Sequence, residues 1–209
     1  MNLENFYFFT GTSYAGKSTM VHFLAEKYNG IECGENYHDN YDGELDPEEF
    51  PALCYTRDLK DWHVFIRRTP EEYANWIAAA KKECEIIELR MIEKMKTNGR
   101  KVFVDTNISL ETLHKISDRR HVMVMLSPRE MAIDRFFDRP DKEKQFLYQL
   151  MMEEPDPQAA LENYRRGLEL IHSQESYDEL LNSGFEINMR DDKLGLEGTM
   201  ALIEKKLEL

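Results

Sequence analysis

Apolar and polar positions along this chain change period several times, and each change predicts an element. Residues 6–10, Phe-Tyr-Phe-Phe-Thr, form a continuous apolar run that reads as a short buried strand stopped by Gly11. From Lys17 the period lengthens: Val21, Leu24, Ala25 and Tyr28 share one helical face, and Asn29-Gly30 ends it. Ile-Glu-Cys-Gly at 31–34 is a weak second strand. The polar, acidic stretch that follows is broken by Gly43, Pro47 and Pro51 and reads as a functional loop with a single helical turn. Thr69-Pro70 is a good cap and first-turn pair for the longest helix, whose apolar stripe runs Tyr73, Trp76, Ile77, Ala80, Cys84, Ile87, Met91 and Met95 until Asn98-Gly99.

Residues 101–105 (KVFVD) predict another strand, and Ser109 caps a short helix through Ile116. Residues 121–126 (HVMVML) predict a further strand, followed by Pro128 and a helix to about Phe137. A charged segment over 138–157 interrupts the alternation. Leu161, Tyr164, Leu168 and Ile171 mark another helix, residues 185–188 (FEIN) a last strand, and Leu196, Met200, Ile203 and Leu207 a closing helix. Five short strands separated by helical segments predict a three-layer α/β fold with a five-stranded parallel sheet, because parallel neighbours need crossover connections. Such sheets take ligands beyond the carboxyl ends of their strands, where Gly11, Gly34 and Asp105 all fall.

Composition narrows this picture. A chain of 209 residues suits one domain, 1–209, with an inserted lid, and 42% hydrophobic against 32% charged residues is a globular balance. A net charge of −13 argues against a long nucleic-acid track or an anionic membrane surface as partner. Cys33, Cys54 and Cys84 are widely spaced and form no CxxC, which suggests neither a disulfide framework nor a zinc site. With no secretory signal pattern and no long apolar span, a cytoplasmic, soluble protein is expected, a monomer or a homodimer.

The chemistry starts at Gly11-Thr12-Ser13-Tyr14-Ala15-Gly16-Lys17-Ser18, which satisfies GxxxxGK[ST], with Thr19 next. In this pattern the glycines let backbone amides surround phosphate oxygens, the lysine reaches the β and γ phosphates, and the hydroxyl of Ser18 binds Mg²⁺. The predicted strand before it and helix after it are the context the pattern requires. An accidental match in a strand-to-helix turn is the competing reading. Asp105 ends a strand that resembles the one bearing the second acid of P-loop proteins, in position to hold magnesium directly or through water, or else simply to cap a turn. Thr106 stands where many motor-type ATPases carry a glutamate, which weakens a hydrolase reading, and no NKxD marks a guanine-specific switch.

At this point the chain resembles the small-molecule P-loop kinases, the group that includes adenylate kinase, shikimate kinase and the nucleoside and antibiotic phosphotransferases. The resemblance implies a lid over about 136–157, with Arg135 near the base and Arg139 on the transferring phosphates, both on one face of the helix after Pro128; a solvated helix paired to nearby aspartates is the alternative. It also implies an acceptor region over about 35–75, with Asp39 or Glu35 as the group that takes the acceptor's proton, and Asn188 to Asp191 against the adenine. His38 reads as a loop residue. Arg67-Arg68 are candidates to clamp an anionic substrate, while Trp76 and Tyr73 read as core rather than a stacking platform. The expected activity is ATP- and Mg²⁺-dependent phosphoryl transfer to a hydroxyl or phosphate of a small metabolite, nucleoside or nucleotide. Alternatives are a nucleotide-binding regulatory protein with low turnover and a polynucleotide 5′-hydroxyl kinase.

Overall fold

The structure, a computed structural model, describes residues 3–41, 43–138 and 142–209. In chain order the first elements are β1 (Phe6–Gly11), α1 (Lys17–Lys27), β2 (Ile31–Cys33), a 3₁₀ turn (Tyr37–Asn40), α2 (Pro51–Asp58), α3 (Trp62–Ile66) and α4 (Pro70–Lys94). Next come β3 (Val102–Asp105), α5 (Leu110–Ile116), β4 (Val122–Leu126), α6 (Arg129–Asp134), α7 (Lys142–Met152) and α8 (Pro157–Ile171). The chain closes with α9 (Gln174–Leu181), β5 (Glu186–Met189) and α10 (Gly195–Leu207).

The five strands form one sheet in the order β2-β3-β1-β4-β5, every pairing parallel, with helices on both sides. Alternation along β1 divides its aromatics between the two faces. Tyr7 and Phe9 pack with Val21 and Leu24 of α1 and with Ile203 and Leu207 of α10. Phe6 and Phe8 take the other face and are equally buried. Each such side chain contributes roughly 1.5–3 kcal/mol by leaving water. The register aligns Phe9 with Asp105 and Gly11 with Met125, so β1, β3 and β4 end at one edge of the sheet.

The chain divides into two compact units. The first comprises Met1–Asp42, Cys84–Ser127 and Asp178–Leu209 and holds the sheet; the second comprises Gly43–Glu83 and Pro128–Tyr177. The second unit has its own core, in which Phe65, Tyr73, Ile133, Met151, Tyr164 and Leu168 meet and the Tyr73 and Tyr164 hydroxyls hydrogen-bond at 2.8 Å. Tyr73 and Trp76 are therefore core residues, as their helical spacing suggests. Helix α4 starts on a capping box: Thr69 Oγ1 accepts from the Glu72 amide and Glu72 Oε2 from the Thr69 amide. Among the described residues no helix is long and apolar enough to cross a membrane.

One expectation needs correction. The helix after Pro128 stops at Asp134 rather than near Phe137. A helix would splay successive side chains about 100° apart, but Phe136 and Phe137 both turn toward Tyr164, each with its ring centroid 5.6 Å from the tyrosine ring, so the backbone tightens into a turn. Beyond the loop, the stretch between residues 51 and 66, for which the pattern predicts no element, contains α2 and α3. Glu83 caps α2 from afar, its Oε1 accepting from the Ala52 amide and its Oε2 from the Leu53 amide.

Candidate functional site

Between β1 and α1 the backbone makes a tight loop with three residues in the left-handed region, Gly11 (φ 128°), Tyr14 (φ 63°) and Gly16 (φ 88°). At Gly11 the reason for glycine is steric as well: a Cβ there would lie 1.9 Å from the Met125 carbonyl oxygen. The amide of Thr12 donates to that same oxygen at 3.0 Å, which seats the loop on β4. Ser127, fully buried just past β4, holds the loop twice more, its amide donating to Thr12 Oγ1 (2.8 Å) and its hydroxyl to the Ser13 carbonyl (2.7 Å). From the far end of the sheet Arg190 Nη1 donates to the Tyr14 carbonyl at 2.5 Å. Neither brace is visible as a motif in the sequence.

Gly16 is the N-cap of α1, and among the described residues no side chain accepts from the helix's first amides. Those N–H groups and the positive end of the helix dipole face the loop, an arrangement suited to an anion. Lys17 folds back over the loop, its Nζ donating to the Thr12 carbonyl at 3.1 Å. Ser18 Oγ donates to Asp105 Oδ2 at 2.7 Å, and Glu35 Oε2 lies 3.5 Å from the same hydroxyl. The adjacent Lys17 and Ser18 therefore meet Glu35 and Asp105, from two other stretches of the sequence, at the carboxyl ends of the strands. Burial raises the pKa of Asp105, with Glu35 and Glu88 adding to the shift and Lys17 and Ser18 opposing it.

Among the described residues no three His, Cys, Asp or Glu side chains converge as a metal-holding group. The donors at hand are the Ser18 hydroxyl and the Asp105 carboxylate, both hard oxygens, and this pair fits Mg²⁺ better than a softer metal.

Asp39 does not join this group. Its side chain is 74% exposed, and its nearest charged neighbour is His38, whose Nε2 lies 3.8 Å from Asp39 Oδ1. His38 lies in the loop, as read, within its 3₁₀ turn, and is buried there. Its Nε2 meets Cys84 Sγ at 3.3 Å, and its Nδ1 stands 3.3 Å from Glu88 Oε1 without the alignment of a hydrogen bond. Burial works against a charged imidazole, but the Cys84 contact and the Glu88 carboxylate outweigh it and raise the pKa of His38.

Glu88 is the residue that pattern reading missed. It is fully buried on α4 and accepts from Thr106 Oγ1 (2.5 Å), the Asn107 amide (3.1 Å) and Asn107 Nδ2 (3.0 Å). These donors follow Asp105 directly, so Glu88 fixes the turn that carries the site's aspartate. A signal existed: a glutamate four residues after Cys84 and beside Ile87, on the helical stripe assigned to the core, needs buried partners.

The other candidates lie elsewhere. Arg67 Nε is paired with Glu154 Oε2 at 2.9 Å and His63 Nδ1 with Glu154 Oε1 at 2.7 Å, so Arg67 does not act with Arg68 as one clamp. Arg135 belongs to the second unit, exposed at the C-cap of α6. The helical spacing expected to pair it with Arg139 ends at Asp134, and Arg139 lies outside the described residues. Of the segment proposed to approach a base, Asn188 is buried, while Arg190 is committed to the Tyr14 carbonyl and to Asp192. Compared with known proteins, the chain matches no family model, no curated protein and no solved structure.

Proposed function

We propose that this chain is an ATP- and Mg²⁺-dependent phosphotransferase of the P-loop kinase type, acting on a hydroxyl or phosphate group of a small metabolite, nucleoside or nucleotide. The observation that carries this reading is the meeting of Lys17, Ser18 and Asp105 at the ends of β1 and β3, with Ser18 Oγ 2.7 Å from Asp105 Oδ2. The loop amides and the start of α1 would bind the β and γ phosphates, and Lys17 would exchange its contact with the Thr12 carbonyl for a phosphate oxygen. Ser18 and Asp105 would hold Mg²⁺, which would supply positive charge against the phosphates. The raised pKa of Asp105 reflects burial beside other carboxylates, and a cation there relieves that penalty.

Of the two carboxylates considered for the acceptor's proton, Glu35 is better placed than Asp39, because its Oε2 lies 3.5 Å from Ser18 Oγ while Asp39 faces solvent. The hydroxyl of Thr106 is committed to Glu88, so the position after Asp105 offers no base for water, which favours transfer over hydrolysis. The test is calorimetry with Mg·ATP followed by a phosphoryl-transfer screen over small hydroxylated and phosphorylated acceptors. Lys17→Ala should abolish transfer; undiminished transfer in that variant, or no nucleotide uptake by the wild type, overturns the assignment. Tight nucleotide binding with no acceptor-dependent ADP release would move the reading to a regulatory protein.

A further inference from the structure

Arg68 sits in the short connection between α3 and α4, within the second unit. Its backbone is held on both sides. The Arg68 carbonyl accepts from Asn163 Nδ2 at 2.7 Å, and the next residue, Thr69, opens the capping box of α4. The guanidinium is walled by rings from three helices, with its Cζ 4.1 Å from the centroid of Tyr55, 5.0 Å from Phe65 and 5.7 Å from Trp76. The rings are fixed in turn: Trp76 Nε1 donates to the Ala52 carbonyl at 3.0 Å, and Phe65 packs edge-on against Trp76 at 5.0 Å.

Aromatic rings meet a guanidinium over its π face and leave its N–H groups in the plane to find acceptors. Among the described residues none is supplied to Nη1, which is buried without a hydrogen-bond partner there, and Arg68 makes no ion pair with them. That is unusual in a chain with net charge −13 whose adjacent Arg67 is neutralised by Glu154. Arg100 and Arg135 also lack an acidic partner among the described residues, but both are exposed and water serves them. Arg68, Tyr55 and Trp76 are half-buried, at the edge of the core, and the Tyr55 hydroxyl likewise has no protein partner among the described residues. A partly desolvated cation with unmet donors is costly, and a planar two-oxygen anion offsets that cost best, by taking parallel N–H bonds.

We infer that the second unit carries a receptor for an oxyanion, the phosphate or carboxylate group of a small molecule, built on Arg68 and preorganised by Tyr55, Phe65 and Trp76. This inference does not depend on the phosphotransferase reading, because every residue it uses lies in the second unit. The two tryptophans of the chain, Trp62 and Trp76, also lie there, so intrinsic fluorescence reports on this unit.

The test uses the full chain carrying Lys17→Ala, which removes phosphate binding by the glycine loop as a competing signal. Phenyl phosphate and benzoate are titrated against tryptophan emission, with benzyl alcohol as the neutral counterpart. A saturable change is expected with at least one anion and none with the alcohol, and the tighter of the two anions identifies phosphate or carboxylate as the group recognised. Arg68→Gln should weaken that binding at least about tenfold, and Arg68→Lys, which keeps the charge and loses the planar fork, should also weaken it. Circular dichroism checks that each variant is folded, and Arg68→Lys carries the test if Arg68→Gln is not. No saturable response to either anion, equal affinity in the folded variants, or equal response to the alcohol would overturn the proposal.

Discussion

Replacing Glu88 by Gln should destabilise the protein by roughly 3–5 kcal/mol, and the structure explains why so isosteric a change is so costly. The carboxylate serves three donors, Thr106 Oγ1 at 2.5 Å, the Asn107 amide at 3.1 Å and Asn107 Nδ2 at 3.0 Å, and it faces His38 Nδ1 at 3.3 Å. Going from a charged to a neutral acceptor forfeits about 1 kcal/mol per hydrogen bond. The amide also turns its own N–H groups toward one of those donors. Removing the negative partner leaves a buried imidazole whose raised pKa depends on it, and breaking a buried pair from one side costs about 3–5 kcal/mol in total. For a chain of this size each kcal/mol moves Tm by about 2–4 °C, so a drop on the order of 10 °C is expected. Thermal unfolding should be followed by circular dichroism, because both tryptophans lie in the other unit. In a double-mutant cycle with His38→Gln, the two losses should fall short of additivity by about 1–3 kcal/mol. A cost below about 1 kcal/mol for Glu88→Gln, or strictly additive losses, would refute the account of a coupled buried network.

The same network predicts a pH effect. Because the folded-state pKa of His38 lies above the usual 6.5, its contribution to stability is complete below pH 6.5 and is lost as pH rises through the folded value. Subtracting the pH–stability curve of His38→Gln from that of the wild type should isolate this decline, and a flat difference above pH 6.5 would contradict it. Gly11→Ala should cost at least about 3 kcal/mol or prevent folding, since it combines left-handed strain with a Cβ 1.9 Å from the Met125 oxygen. Gly99→Ala, at φ 79° with nothing within 4 Å, bears the strain alone and should cost about 1–2 kcal/mol; equal losses at the two sites, read by urea denaturation, would rule out the steric argument. Thr69→Ala removes half of the capping box and should cost about 1 kcal/mol by the same measurement.

What the chain discloses without coordinates depends on how locally each feature is specified. The sheet was legible because its strands are short apolar runs closed by Gly11, Gly34 or Asp105, and Lys17, Ser18 and Asp105 were legible because one loop and one strand end carry them. Helix α2 was not, because its N-terminal amides are served by Glu83, about thirty residues downstream, rather than by any neighbour. The turn at Arg135 was not, because two adjacent phenylalanines choose a shared tertiary contact over helical continuity. Glu88 is hidden for the opposite reason: the stripe declares itself through its hydrophobic members, and a polar residue on the same face carries no pattern of its own. Conversely Asp39, prominent in an acidic loop, turns its side chain to water.

The central position of β1 also bears on how the protein is made. The aromatic segment Phe6–Gly11 is synthesised well before either of its neighbours in the sheet, because Phe6 pairs with Val102 and Thr10 with Val124. Until then Phe-Tyr-Phe-Phe has no edge to join, and nascent chains must be shielded over that interval or risk associating with one another. The brace from Arg190 to Tyr14 arrives later still, so the glycine loop reaches its final form only once the residues that follow β5 have been made.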